Sequence, residues 1–228
     1  MALLLAGSLS SCGSDGGGTT ADIPAGGPAT TPSSAAAAKP AASAAGCKQI
    51  AQKPPAKPDG GAKKPTAPLD ASKTWTLVFQ TNCGDFTVQL DLKSAPNASA
   101  SMVSLAQSGF FKNTIFHRIV PGFVIQGGDP TGGGMGGPGY STHDKPPKGA
   151  RYTKGVVAMA KAGNEAAGTA GSQFYVVTGA DSGLPPDYAL IGKVVKGLPV
   201  VDRIGKLGDA AEHPTQTVEL YDVKAAGS

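Results

Sequence analysis

Charge is scarce in this 228-residue chain: 16% of residues are charged, 20 basic against 16 acidic, for a formal net charge of +4. No basic stripe with interleaved aromatics occurs, which argues against a nucleic-acid partner. The three histidines (His117, His143, His213) show no metal-ligand spacing, so no metal is expected. There is no Gly-Lys-Ser/Thr phosphate loop, and Ser172 is not set in G-x-S-x-G. Gly132 to Gly137 spells G-x-G-x-x-G but runs into Pro138-Gly139 rather than a helix, which excludes a dinucleotide site. Only three cysteines are present: Cys12, Cys47 and Cys83. Neither Cys47 nor Cys83 has a nearby histidine or a redox spacing, which argues against a catalytic thiol.

What the chain does contain is divided unevenly. Residues 13–72 are mostly Ala, Gly, Pro, Ser, Thr and Lys, a composition that cannot bury enough apolar surface to offset its ordering entropy. This stretch reads as a flexible linker, with a root-mean-square reach of about 40 Å. Nearly all aromatics and branched aliphatics follow Trp75, so residues 73–226 form the expected single domain. The apolar run Met1 to Leu9 is too short to span a bilayer and reads as the core of a secretory signal, although no Lys or Arg precedes it. Leu9-Ser10-Ser11-Cys12 then resembles the bacterial lipobox, which implies lipidation of Cys12 and an anchor on the outer face of the cell membrane. In such an oxidising compartment Cys47 and Cys83 remain as an even pair. A bridge would pin the tail to the first strand; the alternative is two unpaired thiols.

Within the domain, Thr74–Phe79 and Phe86–Leu90 alternate as strands around the turn Thr81–Asp85. Pro96 opens a helix that Gly109 can end. Strands are expected over 115–126 (with a turn), 155–160, 172–177, 189–195 and 218–223, and a short helix over 199–204. Many short strands with two helices suggest a closed antiparallel barrel. The run Phe116 to Asp129 places Arg118 and Gln126 eight positions apart, on one face of extended backbone. Phe116 and Val124 share that parity, whereas Phe123 needs the bend that Pro121-Gly122 can supply. The expected product is a fixed cation and an amide beside an apolar hollow.

That run closely resembles the signature of the cyclophilins, the cyclosporin-binding peptidyl-prolyl isomerases. Gly155–Ala160, Gly171–Phe174 and Ile191–Val194 continue the resemblance in the right order, and Gly84–Val88 begins it. The resemblance implies a mainly β fold, a closed eight-stranded antiparallel barrel capped by two α-helices. It also implies a monomer, no cofactor, and proline-containing segments of unfolded or exported proteins as partners.

Prolyl isomerisation passes through a twisted amide against a barrier of about 18–20 kcal/mol. A catalyst needs only to bind that form better than the planar one. Arginine suits the donor role, being always charged and rigidly forked, so Arg118 is the expected catalytic group; the alternative is a structural salt bridge to an Asp or Glu. By resemblance, Gln126 orients it, and Phe123, Val124, Tyr175 and Leu184 line the proline pocket, with Tyr188 at its edge. Gln173 contacts the substrate backbone. Lys161 stands where the family has asparagine and acts through its backbone N–H. The Tyr175 hydroxyl, on a position usually held by phenylalanine, is expected to point to water. His117 is expected to be a structural histidine. Gly183 falls where cyclosporin-sensitive relatives carry tryptophan, which implies weak binding of that drug. The loop Asn164–Ala170 is longer than usual for the family. Set against the folding isomerase is a non-catalytic chaperone or scaffold of the same fold that binds proline segments.

Overall fold

The computed structural model describes residues 46–228. The expected leader and lipobox with Cys12, and residues 13–45 of the expected linker, lie outside the described residues.

Two strands of period-two burial start the domain. In β1 (Trp75–Thr81) Leu77, Phe79 and Thr81 point inward, and in β2 (Gly84–Leu90) Phe86, Val88 and Leu90 do the same. The expected turn joins them. There follow α1 (Pro96–Gln107), β3 (Thr114–Val120), β4 (Val124–Gly127), β5 (Thr142–His143), β6 (Val156–Met159), β7 (Thr169–Ala170) and β8 (Phe174–Val177). The chain ends with β9 (Leu190–Lys196), α2 (Leu198–Ile204) and β10 (Glu219–Gly227). Eight of the strands close an antiparallel barrel in the order β1-β10-β3-β4-β8-β6-β9-β2, and β5 pairs with β7 apart from it. Closure leaves no unpaired edge among those eight.

The interior is held by aromatics. Phe79 stacks on Phe86 with centroids 4.7 Å apart, and Phe174 meets Phe79, Phe116 and Phe111 at 5.0, 5.9 and 6.2 Å. Strands β6 and β8 are buried at every position because both of their faces are covered. Val157, Met159, Phe174 and Val176 face the interior, whereas Val156, Ala158, Tyr175 and Val177 face a second, outer apolar cluster. That outer cluster is where the site lies.

Helix α1 opens on a proline and has no side-chain cap of its own, since Ala95 precedes it. The buried Asp144 carboxylate supplies the cap from a distant loop, accepting from Asn97 N at 3.2 Å and Ala98 N at 2.6 Å. Helix α2 buries Val201 and Ile204 and packs against β2.

The structure differs from expectation over residues 46–72. Instead of a free linker, this segment is a strap lying on the domain. A disulfide joins Cys47 to Cys83, both buried. Beside it Lys48 N donates to Asn82 O (2.8 Å), and Asn82 Nδ2 returns a bond to Lys48 O (2.7 Å). Further on, Lys57 N reaches Pro130 O, Gly60 N reaches Gly137 O, and Gly137 N donates to the Asp59 carboxylate at 2.8 Å. The Lys57 ammonium bonds the Gly109, Phe110 and Lys112 carbonyls that follow α1. Composition misjudged the strap because a cross-link and polar backbone contacts hold it; besides the bridged Cys47, only Ala62 and Leu69 of the strap pack on the core.

Replacing both Cys47 and Cys83 with serine is expected to lower the unfolding free energy by about 3–4 kcal/mol, from the freed loop. It should also open the strap to trypsin at Lys48. Denaturant titration and limited proteolysis check this. A strap that resists trypsin equally well without the bridge would show that its hydrogen bonds suffice.

Candidate active site

The hairpin β3–β4 turns at Pro121-Gly122, where Gly122 takes φ +72° and Phe123 N bonds Val120 O at 3.0 Å. Beyond the turn, Val120 faces Val124, Ile119 faces Ile125, and Arg118 faces Gln126 directly. The register then slips by one between Arg118 and Phe116. This bulge corrects one expectation: Phe116 does not share a face with Arg118 but enters the barrel interior, 1% exposed. Ile119 and Ile125 also point inward, which leaves Arg118, Gln126, Val120 and Val124 outside.

Arg118 sits at one end of a continuous chain of side-chain hydrogen bonds. Its Nη1 donates to Gln126 Oε1 (3.3 Å), and Gln126 Nε2 donates to Gln173 Oε1 (3.0 Å). Gln173 Nε2 ends the chain on the Gly134 and Gly136 carbonyls, each at 2.9 Å. Polarity along this chain is forced. Two carbonyls at one end demand the Gln173 amide group, and a guanidinium at the other demands the Gln126 oxygen. On its other side Arg118 Nε donates to Glu212 Oε2 at 2.6 Å.

The outer apolar cluster adjoins this chain. Phe123, Val124, Tyr175, Leu184 and Tyr188, the five expected pocket residues, all belong to it. So does Tyr152, which sequence reading missed because a lone tyrosine carries no local signal. Fully buried, its hydroxyl donates to Tyr188 O (2.6 Å) and accepts from Tyr188 N (3.0 Å), and so staples the loop before β9. The three tyrosine rings Tyr152, Tyr175 and Tyr188 lie 5.6–6.2 Å apart, two of the pairs nearly edge-to-face.

Tyr175 departs from expectation. Its hydroxyl does not reach water but is buried without a hydrogen-bond partner among the described residues. Burial, reinforced by Tyr152 and Tyr188, pushes the phenol well above its ordinary pKa. Lys161 is equally enclosed, its side chain 4% exposed: Nζ pairs with Asp187 at 2.8 Å and lies 5.5 Å from the Tyr188 ring centre. Its backbone N–H has no partner among the described residues, whereas its neighbour Ala160 N bonds Gln173 O. Gly183, at φ +66°, faces open space, so the rim there is bare. Burial lowers the His117 pKa and keeps the ring neutral; both ring nitrogens lack partners among the described residues.

Tyr175→Phe is expected to raise the unfolding free energy by about 1 kcal/mol, because it removes a buried hydroxyl that bonds nothing. Thermal denaturation checks this. A loss of stability would mean that the hydroxyl is satisfied in solution.

Residues 76–225 match the family described as cyclophilin type peptidyl-prolyl cis-trans isomerase/CLD. The chain is 37% identical over 153 residues to a peptidyl-prolyl cis-trans isomerase-like 1 of Aspergillus fumigatus, covering 65% of this chain and 93% of that one. It is 33% identical to the isomerase CYP18-2 of Arabidopsis thaliana, covering 65% and 92%. A solved cyclophilin-type isomerase of Cryptosporidium parvum, crystallised in the presence of the dipeptide Ala-Pro, superposes with a TM-score of 0.62 at 31% identity, covering 67% of this chain and 99% of that one. With the matched span running from the start of β1 almost to the end of β10, the barrel and its outer cluster fall inside it, and the chain belongs to the cyclophilin-type peptidyl-prolyl cis-trans isomerase family.

Proposed function

We propose that this isomerase assists the folding of exported proteins, with Arg118 as the group that stabilises the twisted prolyl amide. The observation that carries the reading is the guanidinium held by Gln126 at the border of the apolar cluster Phe123, Val124, Tyr175, Leu184 and Tyr188. Nε and one Nη1 hydrogen are occupied, which leaves the second Nη1 hydrogen and both Nη2 hydrogens for a ligand. A proline ring bound on the apolar cluster presents its nitrogen to them. Twisting breaks the amide resonance and frees the nitrogen lone pair, which a fixed cation then binds more tightly than it binds the planar amide.

The unpartnered Lys161 N–H supplies a second donor for the carbonyl preceding the proline, and Gln173, fixed by its two carbonyl partners, contacts the backbone alongside. Lys161 acts through this backbone group because its ammonium is tied to Asp187. No bond to the enzyme forms, and no proton needs to leave the substrate.

The extracytoplasmic setting is supported by the Cys47–Cys83 disulfide, a cross-link that persists in oxidising compartments; the lipid on Cys12 rests on the likeness of Leu9–Cys12 to a lipobox.

Arg118→Ala is expected to lower kcat/KM about 100-fold, or about 3 kcal/mol of transition-state stabilisation, in a protease-coupled assay on an Ala-Pro peptide. Equal rates for the two proteins would favour a proline-binding scaffold instead. Mass spectrometry of the membrane-fraction protein is expected to find diacylglycerol on an amino-terminal Cys12; an intact Met1 would refute the anchor.

A further inference from the structure

Glu212 has two features that its position on an exposed loop does not require. It is the ion-pair partner of Arg118, and it is one of two non-glycine residues with left-handed backbone among the described residues, at φ +67°. That conformation is costly for a residue with an unbranched, charged side chain and is retained only where the surroundings impose it. The ion pair itself adds little stability, because its two side chains are 34% and 47% exposed and solvent screens them.

The loop between α2 and β10 is built to present this one carboxylate. The Asp209 side chain accepts from Ala211 N (2.9 Å) and His213 N (2.8 Å), and Asp209 N donates to His213 O (2.9 Å). Glu212 N is bound to Asp209 O, and Thr215 closes the base of the loop through two bonds to Leu207 O. The loop is then fastened to β3 one residue from the arginine, where Ile119 N donates to Glu212 O at 3.0 Å. Close approach is possible because residue 208 is glycine; a Cβ there would collide with the Ile119 carbonyl oxygen. Arg118 holds the Glu212 carboxyl below the usual carboxylate range, so it stays ionised.

We infer that Glu212 is a positioning residue for the isomerisation, fixing the plane of the Arg118 guanidinium through Nε while Gln126 holds Nη1, so that Nη2 faces the substrate. The inference rests on the reading of Arg118 given above. Two anchors on different nitrogens fix a planar group where one would leave it free to swing about the Nη1 contact. Transition-state stabilisation by a donor depends on such placement to within about 0.5 Å. Glu212 therefore acts through the arginine and touches no substrate.

The test compares Glu212→Ala, Glu212→Gly, Glu212→Gln and Arg118→Ala in the peptide assay, with melting temperatures and the NMR signal of the Arg118 Nε–H. Glu212→Ala and Glu212→Gly are expected to lose about tenfold in kcat with little change in KM, and to broaden the Nε–H signal through faster exchange. Glu212→Gln keeps an acceptor and should recover most of the loss. Glu212→Gly should melt no lower than the parent, because glycine relieves the left-handed backbone; a merely structural glutamate would not lower the rate while sparing stability. Wild-type or faster turnover in Glu212→Ala and Glu212→Gly, with Arg118→Ala inactive, overturns the inference and leaves the reading of Arg118 intact. Full activity in Arg118→Ala overturns that reading and the inference with it.

Discussion

The register of β3 against β4 is the constraint on which the site depends. The Pro121-Gly122 turn sets it, and it places Arg118 directly opposite Gln126. A shift of one residue would send the arginine into a barrel interior filled by Phe79, Phe116 and Phe174, where no carboxylate or amide waits for it. Closure of the barrel makes that shift costly. Every barrel strand is bonded on both sides, so no pair can slip without breaking ladders on its neighbours. The bulge beside His117 absorbs the one irregularity, allowing Phe116 to pack inside while Arg118 stays out.

From that pair outward, the site is organised by polar contacts rather than by apolar packing. The chain from Glu212 through Arg118, Gln126 and Gln173 to the Gly134 and Gly136 carbonyls joins two loops distant in sequence to the middle of the sheet. On the far wall, the Lys161–Asp187 pair and the Tyr152 hydroxyl do the same for the loop that carries Leu184 and Tyr188. The strap reaches this system too, since Asp59 holds the Gly137 N–H next to the loop on which Gln173 ends. Rigid strands and bonded loops together keep an apolar surface and a cation in fixed relation, which is what differential binding of a twisted amide requires.

Much of this was legible beforehand. All eight barrel strands and both helices were readable in the sequence, β1 and β2 from period-two alternation and α1 from Pro96 and Gly109, as was the shared face of Arg118 and Gln126. Phe123, Val124, Tyr175, Leu184 and Tyr188 were assigned to one pocket by resemblance, and they do form one cluster. Three things were not legible. Glu212 lies 94 residues from Arg118, and no local pattern connects them. Tyr152 sits on a charged, glycine-flanked connector with no periodicity. The strap at 46–72 has the composition of a solvated linker, and its attachment depends on carbonyls that only the folded barrel presents.

What the sequence alone determined is therefore local and periodic: which residues alternate, where the chain must turn, which side chains can act as a fixed donor, and that the core begins near Trp75. What only the tertiary structure decided is where polar groups far apart in the chain find their partners. Hydrogen bonds and ion pairs act over about 3 Å, so their specificity appears only once the barrel brings distant loops together. Hence the face of Phe116, the burial of the Tyr175 hydroxyl and the carboxylate on Arg118 could be learned only from the fold.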